Sequence, residues 1–121
     1  MTTTIIKFDK LVRDKMLGIF VAEGVHANYR KVSGEEYWHY LKAKLMEETL
    51  ELLRDRDGGV GELADILEVV DAMSMFHGIT TTQLKEMVDE KYMKRGGFLE
   101  GVVLESIEVG RLWPSPEVKD A

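Results

Sequence analysis

Apolar residues recur at spacings of three and four along most of the chain as far as Arg95, the period of helices that bury one side. A first helix is expected from about Asp9 to Glu23, with Val12, Met16, Ile19 and Phe20 on one face and Gly24 as its stop. A polar connection carrying Tyr29 and Arg30 follows. Ser33, with Glu36 three residues on, has the spacing of a capping box and opens a second helix that runs to about Arg54. Asp57-Gly58-Gly59 breaks the pattern, and a third helix covers about Val60 to His77, ending at Gly78. Thr80 and Gln83 repeat the capping-box spacing, and a fourth helix closes at Gly96-Gly97. Beyond it, Phe98 to Val109 carries Val102, Val103, Leu104 and Ile107. This stretch reads either as a short strand, paired with Thr4-Ile5-Ile6, or as an irregular arm. Both prolines fall after Arg111, so residues 111–121 read as a frayed tail. With no repeat or linker, the expectation is a single all-α domain over residues 1–121. It is a bundle of about four helices, with or without a small β appendage near the C-terminus.

Two helices carry acids where the pattern demands apolar side chains. Trp38, Leu41, Leu45 and Leu52 form a stripe on the second helix, and the position between Leu45 and Leu52 is Glu48. An ionised carboxylate on a buried face costs several kcal/mol unless it is paired, hydrogen-bonded or metal-bound. Glu51 lies three residues further on the same side. The third helix is apolar nearly all round and reads as buried accordingly. Its polar residues, Glu62, Asp65, Glu68, Asp71 and Ser74, fall three apart, a row that drifts around the axis, so only neighbours share a site. Glu62 and Asp65 lie nearest the glycine break. Antiparallel helices would set Glu48 and Glu51 against Glu62 and Asp65, with no base read one turn away on that face to neutralise them. Hard divalent cations would do so: Mg²⁺ fits, with Mn²⁺ as a substitute, and nothing has the spacing of an EF-hand. Glu47 borders the same site, where it either orients a ligand or takes a proton, or is simply exposed.

Composition sharpens this picture. At 121 residues and 13.8 kDa the chain has length for one core. A net charge of −6 speaks against a general nucleic-acid binder and suits a protein that holds cations with carboxylates. The lack of cysteine rules out disulfides and thiolate zinc sites. No stretch has the length of a signal peptide's apolar region or of a membrane span, so a cytoplasmic protein without membrane contact is expected.

Glu47-Glu48-x-x-Glu51 followed by Glu62-x-x-Asp65 resembles the EExxE…ExxD signature of the all-α nucleotide pyrophosphatase superfamily. That group includes MazG, phosphoribosyl-ATP pyrophosphohydrolase and the dimeric dUTPases. Lys10-Leu11-Val12-Arg13-Asp14-Lys15 and Lys91-x-x-Lys94-Arg95-Gly96-Gly97-Phe98 look like blocks of a small house-cleaning branch similar to phosphoribosyl-ATP pyrophosphohydrolase. The matching blocks extend from about Lys10 to Glu105. Two features depart from the family. The ten residues between Glu51 and Glu62 are at or just below its short end, and Met16-Leu17-Gly18 stands where a proline-containing turn is expected. The resemblance implies hydrolysis of a nucleoside triphosphate between its α- and β-phosphates, giving the monophosphate and pyrophosphate. By the same analogy Glu48, Glu51, Glu62 and Asp65 are metal ligands, and Glu47 or Glu51 positions the attacking water or takes its proton.

A triphosphate also needs side-chain cations. Lys10, Arg13 and Lys15 near the start are candidates, as are Lys91, Lys94 and Arg95 at the end of the fourth helix, where they equally suit the helix dipole. Lys91 shares the side of Leu84, Met87 and Val88 and reads as pointing inward. Asp71 is either a sugar or base contact or a buried hydrogen-bonded acid. Tyr37, Trp38 and Tyr40 stack a base or, more ordinarily, pack. The three histidines show no zinc spacing. A helix apolar all round needs more cover than one such chain supplies, so a homodimer or a dimer of dimers is expected. Two alternatives stand beside the main reading: a phosphoribosyl-ATP pyrophosphohydrolase of histidine biosynthesis, and a catalytically silent helical interaction module.

Overall fold

A computed structural model of the chain describes residues 2–110. The chain forms two compact units, Met1–Met87 and Val88–Ala121. Among the described residues there are four helices, α1 (Met16–Ala22), α2 (Gly34–Arg54), α3 (Val60–Phe76) and α4 (Thr81–Arg95), and no strand. The fold is all-α, as the periodicity predicts. The expected tail lies outside the described residues.

The first unit is organised by the hairpin of α2 and α3, the two helices that pack on each other. Leu41 and Val69 are its most buried apolar residues. Where α2 begins and α3 ends, the Trp38 ring stacks on Phe76 with centroids 5.0 Å apart, and Tyr37 meets Phe76 edge-on at 6.0 Å. The face of α2 that reads Trp38, Leu41, Leu45, Glu48, Leu52 is its buried or half-buried face, as the stripe requires.

The turn between the two helices depends on backbone conformation. Asp55 leaves the helix, and its carboxylate accepts the Asp57 N–H at 2.8 Å. Gly59 then adopts φ +60, and its carbonyl accepts the first α3 hydrogen bond from Leu63 at 3.0 Å. A Cβ at Gly59 would also push aside the end of the Leu52 side chain, but it is the left-handed torsion that demands glycine. α3 ends at Gly78, φ +74, where the N–H groups of Gly78 and Ile79 return to the carbonyls of Met75 and Ser74.

Several expectations need correcting. α1 begins at Met16 instead of near Asp9, because Asp9 stands at φ +43, a torsion through which a right-handed helix does not propagate. Ser33 makes no side-chain cap, and the Glu36 carboxylate that a capping box would use goes to Arg30 through two hydrogen bonds of 2.7 and 3.2 Å. The second capping box does form: Gln83 Oε1 accepts from Thr80 N at 2.9 Å, and Thr80 Oγ1 accepts from Gln83 N at 3.2 Å. α3 is not buried all round, because a two-helix hairpin covers one stripe of each partner. Val60, Leu63, Leu67 and Met75 remain exposed, as do Met46 and Leu53 on α2. α4 buries no residue, and Lys91 is exposed instead of turned inward. Of the two readings of Phe98–Val109, the irregular arm is the one found: its apolar side chains are exposed and its backbone pairs with no neighbouring strand among the described residues.

Gly59→Ala should lower the unfolding free energy by about 2 kcal/mol through strain and the Leu52 collision. Gly61→Ala, in open space on α3, should raise it by roughly 0.5 kcal/mol. Urea denaturation of the two variants beside the wild type reads both signs.

Candidate functional site

The site lies on the facing sides of α2 and α3, near the glycine turn. Glu48 occupies the stripe position that packing would give to a hydrophobe, and only 6% of its surface remains exposed. One of its oxygens lies 3.4 Å from the Lys44 ammonium, while the other, Oε2, is buried with no hydrogen-bond partner. Burial raises the Glu48 pKa, and the charges of Glu51 and Asp65 push it the same way against the pull of Lys44. This carboxyl is therefore next to two more acids and short of positive partners.

Lys44 was not anticipated as a neutralising group, yet it stands one turn before Glu48, at i−4, and three residues before Glu47. Spacing alone makes these contacts available on a helix. The expectation that no base reaches this face is thus corrected. Glu47 accepts from Lys44 at 3.2 Å and from Lys10 at 2.6 Å. Burial pushes its pKa up, but the two ammonium groups prevail and hold it below the usual carboxylate range. Lys10, in turn, titrates higher than an ordinary lysine because of its bond to Glu47.

On α3, Asp65 is half-buried and receives Arg13 Nη2 at 2.5 Å, while Arg13 Nη1 lies 3.8 Å from Glu68. Glu51 is exposed on α2, close enough to act electrostatically on both Glu48 and Lys10. Glu62 turns toward the glycine break, its Oε2 3.6 Å from where a Cβ on Gly59 would stand. Of the four anticipated ligands, Glu48 therefore feels two others, Glu51 and Asp65. Among the described residues, however, no three acidic or imidazole groups converge closely enough to cage a metal as they stand.

The remaining candidates fall elsewhere. Lys15 is the exposed residue from which α1 starts. Asp71 accepts a 2.5 Å hydrogen bond from Thr81 Oγ1, which fastens α3 to the start of α4. Lys91, Lys94 and Arg95 belong to the second unit, and Lys94 lies 3.6 Å from Glu90 on its own helix. Tyr40 donates to Asp9 at 2.8 Å and accepts from Arg30 at 3.3 Å, so it works as a tether for the N-terminal segment.

The donor set suits a hard cation. Among the described residues, five carboxylates (Glu47, Glu48, Glu51, Asp65, Glu68) interact with three bases, Lys10, Arg13 and Lys44, and the most buried acid retains an unpaired oxygen. Oxygen-only coordination and surplus negative charge fit Mg²⁺ or Mn²⁺ better than softer metals. No helix among the described residues is long and apolar enough to cross a membrane. No protein-family model matches the chain, and neither does any curated protein or solved structure.

Replacing Glu48 tests its electrostatic position. A buried acid with a raised pKa favours folding in its protonated form; that contribution is complete below the ordinary carboxylate pKa and is lost as pH rises through the raised value. Glu48→Gln should therefore stabilise the metal-free protein at pH 7 by about 1 kcal/mol. The gain should vanish on acidification through the Glu48 pKa. Glu47 has the opposite sign, its paired form losing stability as pH falls through its depressed pKa. Thermal melts of both proteins from pH 3 to 8 give the two curves; equal midpoints throughout would rule out the strained carboxylate.

Proposed function

We propose that the protein is a Mg²⁺-dependent nucleoside triphosphate pyrophosphohydrolase of the all-α pyrophosphatase kind. It releases the nucleoside monophosphate and pyrophosphate by cleavage between the α- and β-phosphates. The observation that carries this reading is the buried, half-unpaired Glu48, set between Glu51 and Asp65 in the EExxE…ExxD register of a helical hairpin. A structural residue at that position would be apolar. A strained, negatively biased carboxylate is what a cation-binding site contributes.

In this reading Glu48, Glu51 and Asp65 hold the metal, with Glu62 joining from the first turn of α3. The bound cation supplies charge neutralisation for the phosphate oxygens and activation of a water. Glu47, beside the Lys44 ammonium that helps keep it ionised, orients that water by accepting a hydrogen bond. Glu51, exposed at the rim, accepts its proton. Lys10, Arg13 and Lys15 grip the phosphates. A cytoplasmic setting follows from the substrate class.

The exposed stripes of the hairpin, Met46, Leu50 and Leu53 on α2 and Val60, Leu63 and Leu67 on α3, support a homodimer or dimer of dimers that covers them. Leu67→Glu should shift the protein to a smaller species in sedimentation, whereas a wild type that sediments as a monomer would exclude the dimer.

Incubation with a panel of nucleoside triphosphates, phosphoribosyl-ATP and Mg²⁺ should release pyrophosphate. Glu48→Gln and Asp65→Asn should each reduce the rate at least ~100-fold. Preference for phosphoribosyl-ATP would move the assignment to the histidine pathway. No turnover of any nucleotide by a folded, metal-binding protein would refute it in favour of an interaction module.

A further inference from the structure

The N-terminal segment before α1 is neither helix nor packed arm. Its side chains nevertheless reach residues far along the chain: Lys10 to Glu47, and Arg13 to Asp65 and Glu68. The ammonium of Lys10 also feels Glu48 and Glu51, and the guanidinium of Arg13 also feels Glu48. Two cations thus bracket the buried carboxylate from α2 and from α3, yet neither bonds to its free Oε2. We propose that residues 10–13 form a cationic strap that occupies the carboxylates of this site in the metal-free protein and is displaced from them when a divalent cation binds.

The proposal rests on the metal-binding reading above and adds a competition to it. Asp65 has one carboxylate to offer. While its Oδ1 is held at 2.5 Å by Arg13, a cation entering between Glu48 and Asp65 must share or displace that guanidinium. Glu47 is likewise held at 2.6 Å by Lys10. These pairs are solvent-exposed to a degree that makes them weak: Arg13 and Asp65 keep 55% and 40% of their side-chain surface open, and Lys10 keeps 37%. A divalent ion with hard-oxygen preference can outcompete such monovalent contacts. The strap then remains nearby, because Asp9 is tied to Tyr40 at 2.8 Å and Tyr40 to Arg30 at 3.3 Å, a network without a site carboxylate. Release is confined to the residues after this tether. Lys10 and Arg13 are thereby freed at the edge of the site at the moment when triphosphate brings a new set of anionic oxygens.

Two readouts test this with Mn²⁺ alone, without turnover. Calorimetric titration should show Arg13→Gln binding Mn²⁺ at least about threefold more tightly than the wild type, because a competitor has been removed, with Lys10→Gln/Arg13→Gln tighter still. In the wild type, Mn²⁺ should speed tryptic cleavage after Lys10 and Arg13 severalfold while leaving cleavage after Lys7 unchanged. Circular dichroism of the variants establishes that the helices are intact. If the wild type binds Mn²⁺ but its cleavage after Arg13 is unaltered, or Arg13→Gln binds no more tightly, the strap is overturned and the metal site stands. If neither the wild type nor the double variant binds Mn²⁺, both are overturned.

Discussion

A carboxylate inside a helix–helix contact sets the terms for everything around it. Glu48 sits on the face of α2 that meets α3, and it is nearly as buried as Leu41, two turns before it. Lys44 reaches one oxygen; the other has no donor. Such an arrangement is tolerated only where the net stability of the rest can absorb it. Lys10 and Arg13, 37 and 52 residues from their partners, pair with the neighbouring carboxylates Glu47 and Asp65. The same long-range pairs tie the N-terminal segment to the hairpin.

Much of this architecture is legible from the sequence because it is local. α2, α3 and α4 follow from a three-to-four period punctuated by glycines, and the Thr80–Gln83 box forms because nothing competes for either side chain. The displaced Glu48 is visible as a break in a stripe, which needs no tertiary information. Lys44 is also within reach of the spacing rule, since i−4 places it beside Glu48, although it flanks the apolar stripe and does not lie on it. Asp9 is different. Its positive φ and its bond from Tyr40 belong to the folded chain, and no local pattern announces them. The failed Ser33 box is an intermediate case. Both residues of the motif are present, but Arg30 offers Glu36 a bidentate, charge-assisted alternative that a neutral backbone N–H cannot match.

The hairpin's outer surface follows the same logic in reverse. Two antiparallel helices can bury only one stripe each, and α3 is apolar on more than one. The residues left open, Leu63, Leu67 and Val60 among them, share helices with the acids and alternate with them along α3: Glu62 then Leu63, Asp65 then Ile66 and Leu67. Because the 3.6-residue repeat rotates neighbours by about 100°, the acidic row and the apolar row cannot be moved independently. A residue added in the Gly58-Gly59 turn or in α3 would shift both at once.

Covering those apolar stripes with a second copy would therefore act on the carboxylates as well as on stability. Excluding water from the hairpin's outer faces lowers the effective dielectric around Glu48 and Asp65, and charge–charge energies grow as the dielectric falls. Repulsion among the acids would rise in the metal-free state, and so would their attraction for a divalent ion, while monovalent partners such as Lys10 and Arg13 would gain half as much per ion. Association and cation binding would then favour each other, each making the other's product more stable, as linkage requires of two events that share one set of charges. In that arrangement the strained Glu48 is where the free energy of assembly becomes affinity for metal.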